Sequence, residues 1–152
     1  MFLLKICESL SAANINYAIV GGYAVALHGA VRGTVDVDLL IEWQREQLIA
    51  FEQCMLNLGL VSKLPIDAEQ LFHFKDEYIN NRNLIAWNFY HPKDMTQQVD
   101  LIINQNLETK DVIEKWVDNQ SIQILNKERL IAMKKKAGRP QDIEDIKSLE
   151  LL

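Results

Sequence analysis

VGGYAVALHGAVRGTVDVDLLI, residues 20–41, places two adjacent glycines before an alanine-rich run and then sets Asp36-Val37-Asp38 inside an apolar stretch. Carboxylates are rare in such a run, because an unpaired buried charge costs enough to force protonation or unfolding. Two of them, one residue apart, need a compensating partner. Side chains at i and i+2 of a strand share a face, so the pair is expected to project together, roughly 6.6–7 Å apart along the strand. Oxygen-only ligands suit a hard cation such as Mg²⁺ or Mn²⁺; Mg²⁺ typically combines one or two carboxylates with water and substrate phosphates. Asp100, in VDLII (99–103), is a third carboxylate flanked by apolar residues. If its strand neighbours the first, all three acids meet. Asp36, Asp38 and Asp100 are therefore the candidate catalytic and metal-binding residues. Gly21 and Gly22 lie between an expected strand, YAIV (17–20), and an expected helix, YAVALHG (23–29). There a side-chain-free backbone can approach a phosphate and offer it amide N–H groups. A phosphate site beside a carboxylate cluster describes metal-assisted phosphoryl or nucleotidyl transfer.

Outward from this block, Phe2, Leu3, Ile6, Cys7 and Leu10 fall at helical spacing, predicting an opening helix that ends near Asn14–Asn16. VDVDLLI (35–41) reads as a strand, and Gln44 to Leu58 as an amphipathic helix ended by Gly59. Residues 60–83 carry no clear pattern. LIAWNFYH (84–91) and QQVDLIIN (97–104), joined through HPKDM, predict a hairpin. A short helix is expected around Asp111–Val117, then a strand at SIQIL (121–125) and a helix over Lys127–Ala137. Gly138 closes that helix, and Pro140 suits the first turn of a last helix ending in LELL. The alternation predicts an α/β (α+β) fold with a mixed β-sheet flanked by helices and C-terminal helices. We expect residues 1–152 to form one domain, with a core at about 15–105 and a C-terminal strand and helical segment at about 110–152.

Composition narrows the function classes. A chain of 152 residues, 49% hydrophobic and 24% charged, suits one globular domain with a proper core. The net charge of −5 argues against a general phosphate-neutralising surface, so a nucleic-acid partner would need a local basic patch. Cys7 and Cys54 lack zinc or redox spacing and read as small core residues of a reducing compartment. The start, MFLLKICESLSAANINY, lacks a signal-peptide core, and no apolar run approaches 18 residues, so a cytoplasmic protein with no membrane partner is expected.

Other polar residues carry ordinary readings beside functional ones. His28 reads as a packed helix residue. Arg32 is either a fork-shaped phosphate donor or a loop residue. Lys134-Lys135-Lys136 complement a helix C-terminus, and Asp142 favours the start of the following helix. Arg139 is a candidate for facing the cleft. Trp87, Phe89 and Tyr90 read as sheet packing rather than a base-stacking platform.

Val20-Gly21-Gly22, Asp36-Val37-Asp38 and Asp100 together resemble the pattern of the nucleotidyltransferase superfamily, of the DNA polymerase beta-like fold. GGYAVALHGAVRGTVDVDLLI and LIAMKKKAGRPQDIEDIKSLE (130–150) look most like the AbiEii-type and related bacterial nucleotidyltransferase-like proteins. The resemblance implies a Mg²⁺-dependent (or Mn²⁺-dependent) enzyme that moves a nucleoside monophosphate from an NTP to a hydroxyl acceptor and releases pyrophosphate. In it, Asp36 and Asp38 hold the metals that bridge the triphosphate, and Asp100 completes the acceptor-side metal. Gly21 and Gly22 position the phosphates, and Lys134 reaches the triphosphate, with Arg32 as a further nucleotide contact. About fifty residues follow Asp100, few for an acceptor-binding wall, which leads us to expect a large acceptor such as tRNA or protein, or a site completed by a homodimer. A toxin paired with an antitoxin partner fits that expectation. The alternatives are an antibiotic nucleotidyltransferase with a small acceptor and a non-catalytic nucleotide-binding or partner-binding protein.

Overall fold

The computed structural model describes all 152 residues. Helix α1 (Phe2–Ala12) leads into β1 (Tyr17–Val20), α2 (Gly21–Leu27), β2 (Val37–Ile41) and α3 (Arg45–Asn57). The chain continues through β3 (Val61–Ser62), α4 (Ala68–His73), α5 (Lys75–Arg82), β4 (Ala86–His91) and β5 (Asp94–Ile102). After a single 3₁₀ turn at Thr109–Asp111 come β6 (Val112–Val117), β7 (Gln120–Leu125), α6 (Lys127–Ala137) and α7 (Pro140–Glu150). The strands form one seven-stranded mixed sheet in the order β3-β4-β5-β2-β1-β7-β6. Strand β2 lies at its centre, antiparallel to β1 and parallel to β5.

The helices and strands follow their patterns. Leu3, Ile6, Cys7 and Leu10 bury one stripe of α1, as a helical period requires. All four residues of β1 are buried, which explains why YAIV is a continuous apolar run rather than an alternating one. Trp87 and Phe89 alternate inward from β4, fully buried with ring centroids 4.6 Å apart, so these aromatics pack the sheet. They belong to one hydrophobic cluster of 32 buried residues that also takes in Cys7 and Cys54, both free thiols.

Two expectations are corrected. The segment expected to form a short helix at 111–117 is instead strand β6, paired along its whole length with β7. The turn between them, Asp118-Asn119, has φ of 48° and 65°. Positive φ at both central residues is the requirement of a two-residue type I′ hairpin, whose twist matches the flanking strands. Second, β2 begins at Val37, so Asp36 occupies the bend before the strand rather than the strand itself.

The C-terminal pair of helices is tightly punctuated. Asn126 caps α6 by accepting from the Arg129 N–H at 2.8 Å. Gly138, with φ 66°, closes it by donating to the Lys134 carbonyl at 2.9 Å. Pro140 opens α7, where Asp142 accepts from the Arg139 N–H at 3.0 Å. The short connection packs α7 back against α6 and turns Lys134, Arg139, Asp142 and Asp145 toward the end of the sheet where β1 stops.

Candidate active site

The parallel pairing of β2 with β5 sets Asp38 directly opposite Asp100. Their carboxyl groups are within hydrogen-bonding reach of each other. Asn88, the partner of Asp100 on β4, donates from Nδ2 to Asp100 Oδ1 at 2.7 Å and fixes one oxygen. Burial pushes the Asp38 carboxyl up to about 7, and the neighbouring charges of Asp100 and Asp36 push in the same direction, against a weaker pull from Lys134. Asp36 is also raised, first by burial and then by Asp100, with Lys63 opposing. The structure thus pairs Asp38 with Asp100, while Asp36 stands beside Asp38 on the polar-cavity side, near enough to feel the charge of Asp100 but not gathered with the other two into one cluster.

Gly21 is required by this arrangement. Its φ is +65°, and a Cβ there would fall 2.1 Å from Asp38 Oδ2. A Cβ on Gly22 would meet Thr34 Oγ1 at 2.7 Å. The glycine pair therefore lets the Asp38 carboxylate and the Thr34 hydroxyl lie against the backbone. Helix α2, at seven residues, is too short to add much dipole of its own.

Gly21, Asp38, Lys134 and Arg139 are shared by two cavities that meet at Asp38. The first, about 310 Å³, is polar: Arg32, Thr34, Lys134, Arg139 and Gln141 line it with Asp36, and Val35 is its single hydrophobic residue. The second, about 580 Å³, has Asp100 and seven hydrophobic residues in its wall.

A buried ion network holds the donors of the polar cavity. Lys134, only 5% exposed, donates from Nζ to Asp145 Oδ2 at 2.9 Å and lies 3.5 Å from Asp142 Oδ1. Arg32 Nε donates to Asp145 Oδ1 at 2.9 Å, and Gln141 Nε2 to the same oxygen at 3.0 Å. Arg139 grips Asp142 through Nε at 2.7 Å and Nη2 at 3.1 Å. Burial raises both carboxyls, but it is outweighed at Asp142 by hydrogen bonds from Arg139 and at Asp145 by those from Lys134, Arg32 and Gln141. Both are held below the usual carboxylate range. Arg32 and Lys134 both line the polar cavity, held there by Asp145, a carboxylate to which the sequence analysis assigns no role. The signal was present: Arg139, Asp142 and Asp145 stand at i, i+3 and i+6, along one face of a helix that follows a lysine-bearing one. Asn88 and Thr34 left no such signal. His28 is a packing residue, with Nε2 2.8 Å from the Leu125 carbonyl.

No three His, Cys, Asp or Glu side chains are gathered tightly enough to form a metal cage by themselves. The donor set nevertheless fits a Mg²⁺-type ion, which uses one or two carboxylates and draws its remaining ligands from water and phosphate. Asp38 and Asp100 supply such a pair, in oxygen-only chemistry, side by side on neighbouring parallel strands.

Comparison with solved structures places this sheet among known folds. The antibiotic-resistance factor ANT(2'')-Ia superposes with a TM-score of 0.67 at 13% identity, over 97% of this chain and 80% of that one. The lincosamide antibiotic adenylyltransferase LnuA, solved with lincomycin bound, gives 0.66 at 16% identity, over 98% of this chain and 94% of that one. The fold is that of the nucleotidyltransferases. An antigenic nucleotidyltransferase-like protein from Paracoccidioides brasiliensis shares it with a TM-score of 0.59 at 20% identity, over 97% of this chain and 73% of its own. No protein-family model matches the sequence, and no curated relative matches it. No helix is long and apolar enough to cross a membrane.

Proposed function

We propose that this nucleotidyltransferase-fold chain transfers a nucleoside monophosphate from an NTP to the hydroxyl of a small acceptor. The observation that carries the reading is the register-matched Asp38–Asp100 pair, short of positive charge, at the junction of a cation-lined polar cavity and an apolar one. Mg²⁺ or Mn²⁺ held by Asp38 and Asp100, with Asp36 beside them, would neutralise charge on the phosphates and on the entering and leaving oxygens. Arg32, Lys134 and Arg139 hold the β- and γ-phosphates in the polar cavity, and Gly21 and Gly22 let the triphosphate approach the backbone. The acceptor oxygen attacks the α-phosphorus, the bond from that phosphorus to the β-phosphate oxygen breaks, and pyrophosphate leaves. Asp100 takes the acceptor's proton, and Asn88 keeps its carboxylate oriented.

The large acceptor expected from the sequence rested on the shortness of the chain beyond Asp100. That argument is weakened by LnuA, a lincomycin-bound adenylyltransferase matched over 94% of its length. A cavity of about 580 Å³ beside Asp100 lies within the range of small-ligand sites. The antibiotic-type alternative, a small acceptor, is therefore favoured over tRNA, protein, an antitoxin partner or a homodimer.

The test is thermal unfolding with Mg²⁺, a non-hydrolysable NTP, or both. Joint addition is expected to raise Tm by more than the two separate shifts combined, because each ligand completes the other's site. Additive or absent shifts at saturation overturn the reading.

A further inference from the structure

The two cavities differ in chemistry, and in-line displacement assigns them different occupants. The entering oxygen must lie opposite the leaving pyrophosphate across the α-phosphorus. Arg32, Thr34 and Gln141 line only the polar cavity, beside the shared Lys134 and Arg139, so pyrophosphate belongs there and the acceptor approaches from the other side of Asp38, where Asp100 lies. The wall there is formed by Ile85, Ile102, Leu130 and Met133. Its acids are the two metal-facing carboxylates and Asp142, which is already bound by Arg139 and Lys134. Of its cations, Lys134 and Arg139 are spent on Asp142 and Asp145, which leaves Lys136 as the one charge on the rim without a carboxylate partner. A polyamine body would find no free carboxylate outside the metal-facing pair and would meet Lys136, whereas an apolar body is received by the wall.

We infer that the acceptor is a compact apolar alcohol bearing no positive charge, seated between β4, β5 and α6 with its hydroxyl directed at Asp100. This rests on the nucleotidyl-transfer reading above. In the transfer, the P–O bond to the acceptor forms as the α–β phosphoanhydride bond breaks, pyrophosphate carries away the bonding electron pair, and the acceptor's proton passes to Asp100.

The experiment uses the full chain with α-labelled NTPs and Mg²⁺, offering an aryl-alkyl diol, a steroidal alcohol, a phenyl-substituted hydroxy acid and a polyamino cyclitol glycoside as acceptors. Binding of the same four compounds is read separately by ligand-detected NMR without metal or nucleotide. The apolar, non-cationic alcohols are expected to bind and to accept label at least about tenfold better than the polyamino compound. Met133→Glu, on the acceptor wall, is expected to reverse that preference about tenfold while leaving the Mg²⁺-dependent NTP stabilisation in place. Three results overturn the inference: preference for the polyamino compound, no binding of any apolar alcohol while NTP and Mg²⁺ still stabilise the protein, or a Met133→Glu effect on NTP choice instead of acceptor choice. Loss of joint NTP and Mg²⁺ stabilisation in the unmodified chain overturns the nucleotidyl-transfer reading itself, and the acceptor assignment with it.

Discussion

Two pairs of aspartates converge on one cleft and are treated in opposite ways. Asp142 and Asp145, 1% and 2% exposed, are surrounded by Arg139, Lys134, Arg32 and Gln141, and their carboxyls are held low. Asp38 and Asp100 face each other with a single amide donor, Asn88, and Asp38 is driven up to about 7. The first pair is electrostatically complete within the chain, and its work is to hold other side chains. The second has no cation bound to it within the chain, and in the reading proposed above a metal ion and a nucleotide would complete it. Burial alone does not separate a structural acid from a reactive one; the count of charges around it does.

The contrast is open to attack at both ends. Asp38→Asn and Asp100→Asn are expected to lower transfer by about 10³-fold, the scale of losing one preorganised charge contact in the transition state. Without metal, the same variants should be as stable as the parent chain or more so, since neutralising one of two facing carboxyls relieves repulsion. Single-turnover label transfer and Tm in chelator measure the two effects, and unfolding of either variant would make the pair structural.

Asp145→Ala is expected to do the reverse, lowering stability by about 3 kcal/mol because it strands the buried Lys134 and one face of Arg32. Chemical denaturation measures it. A loss as small as that of an exposed surface pair, under about 1 kcal/mol, would show that Asp142 alone suffices for Lys134.

The pairs also oppose each other in pH. Asp38 is raised from 3.8 to about 7 on folding, so its stabilising protonation is present at low pH and is lost as pH rises through about 7. Asp142 and Asp145 are lowered, so their contribution is present above the ordinary carboxylate range and is lost as pH falls through their folded values. Metal-free stability should therefore decline between about pH 4 and 7 from the Asp38 contribution, by at most about 1.4 kcal/mol per pH unit. Asp38→Asn should remove that slope and leave the acid limb unchanged.

Gly21→Ala reaches the same carboxylate from the backbone. Its left-handed φ costs about 1–2 kcal/mol for a side-chain-bearing residue, and its Cβ would push the Asp38 carboxylate aside, so transfer is expected to fall together with stability. Gly33→Ala, where a Cβ meets nothing within 4 Å, is the control and should be nearly silent in both stability and transfer.

Much of this was legible in the sequence, and the parts that were not share a cause. β1 at YAIV and α6 at Lys127–Ala137 have the expected boundaries, because their periodicity and caps are local. Asp36, Asp38 and Asp100 were readable because charge inside an apolar run breaks a strong local pattern. β6 was misread: VIEKWV is short, and the hairpin turn that pairs it is Asp118-Asn119 rather than a glycine turn. β3 has two residues and α5 buries none, so neither leaves a hydrophobic signature in residues 60–83. The part played by Asp145 was hidden because its partners come from the Arg32 loop and α6, brought together only by the turn at Gly138. The apolar cavity was equally invisible, since Ile85, Ile102, Leu130 and Met133 are unremarkable where each stands in the chain.

The pairing of Asp38 with Asp100 also serves as a gauge of alignment. Between β2 and β5, a slip of one residue would conserve the ladder's hydrogen-bonding capacity yet send Asp100 to the opposite side of the sheet, away from Asp38 and into territory held by neighbours such as Val99 and Leu101. Such a chain would hide its error from any assay of secondary-structure content. If the pair holds a metal as proposed, the chain would reveal it at once to a cation, which would find one carboxylate where two should stand.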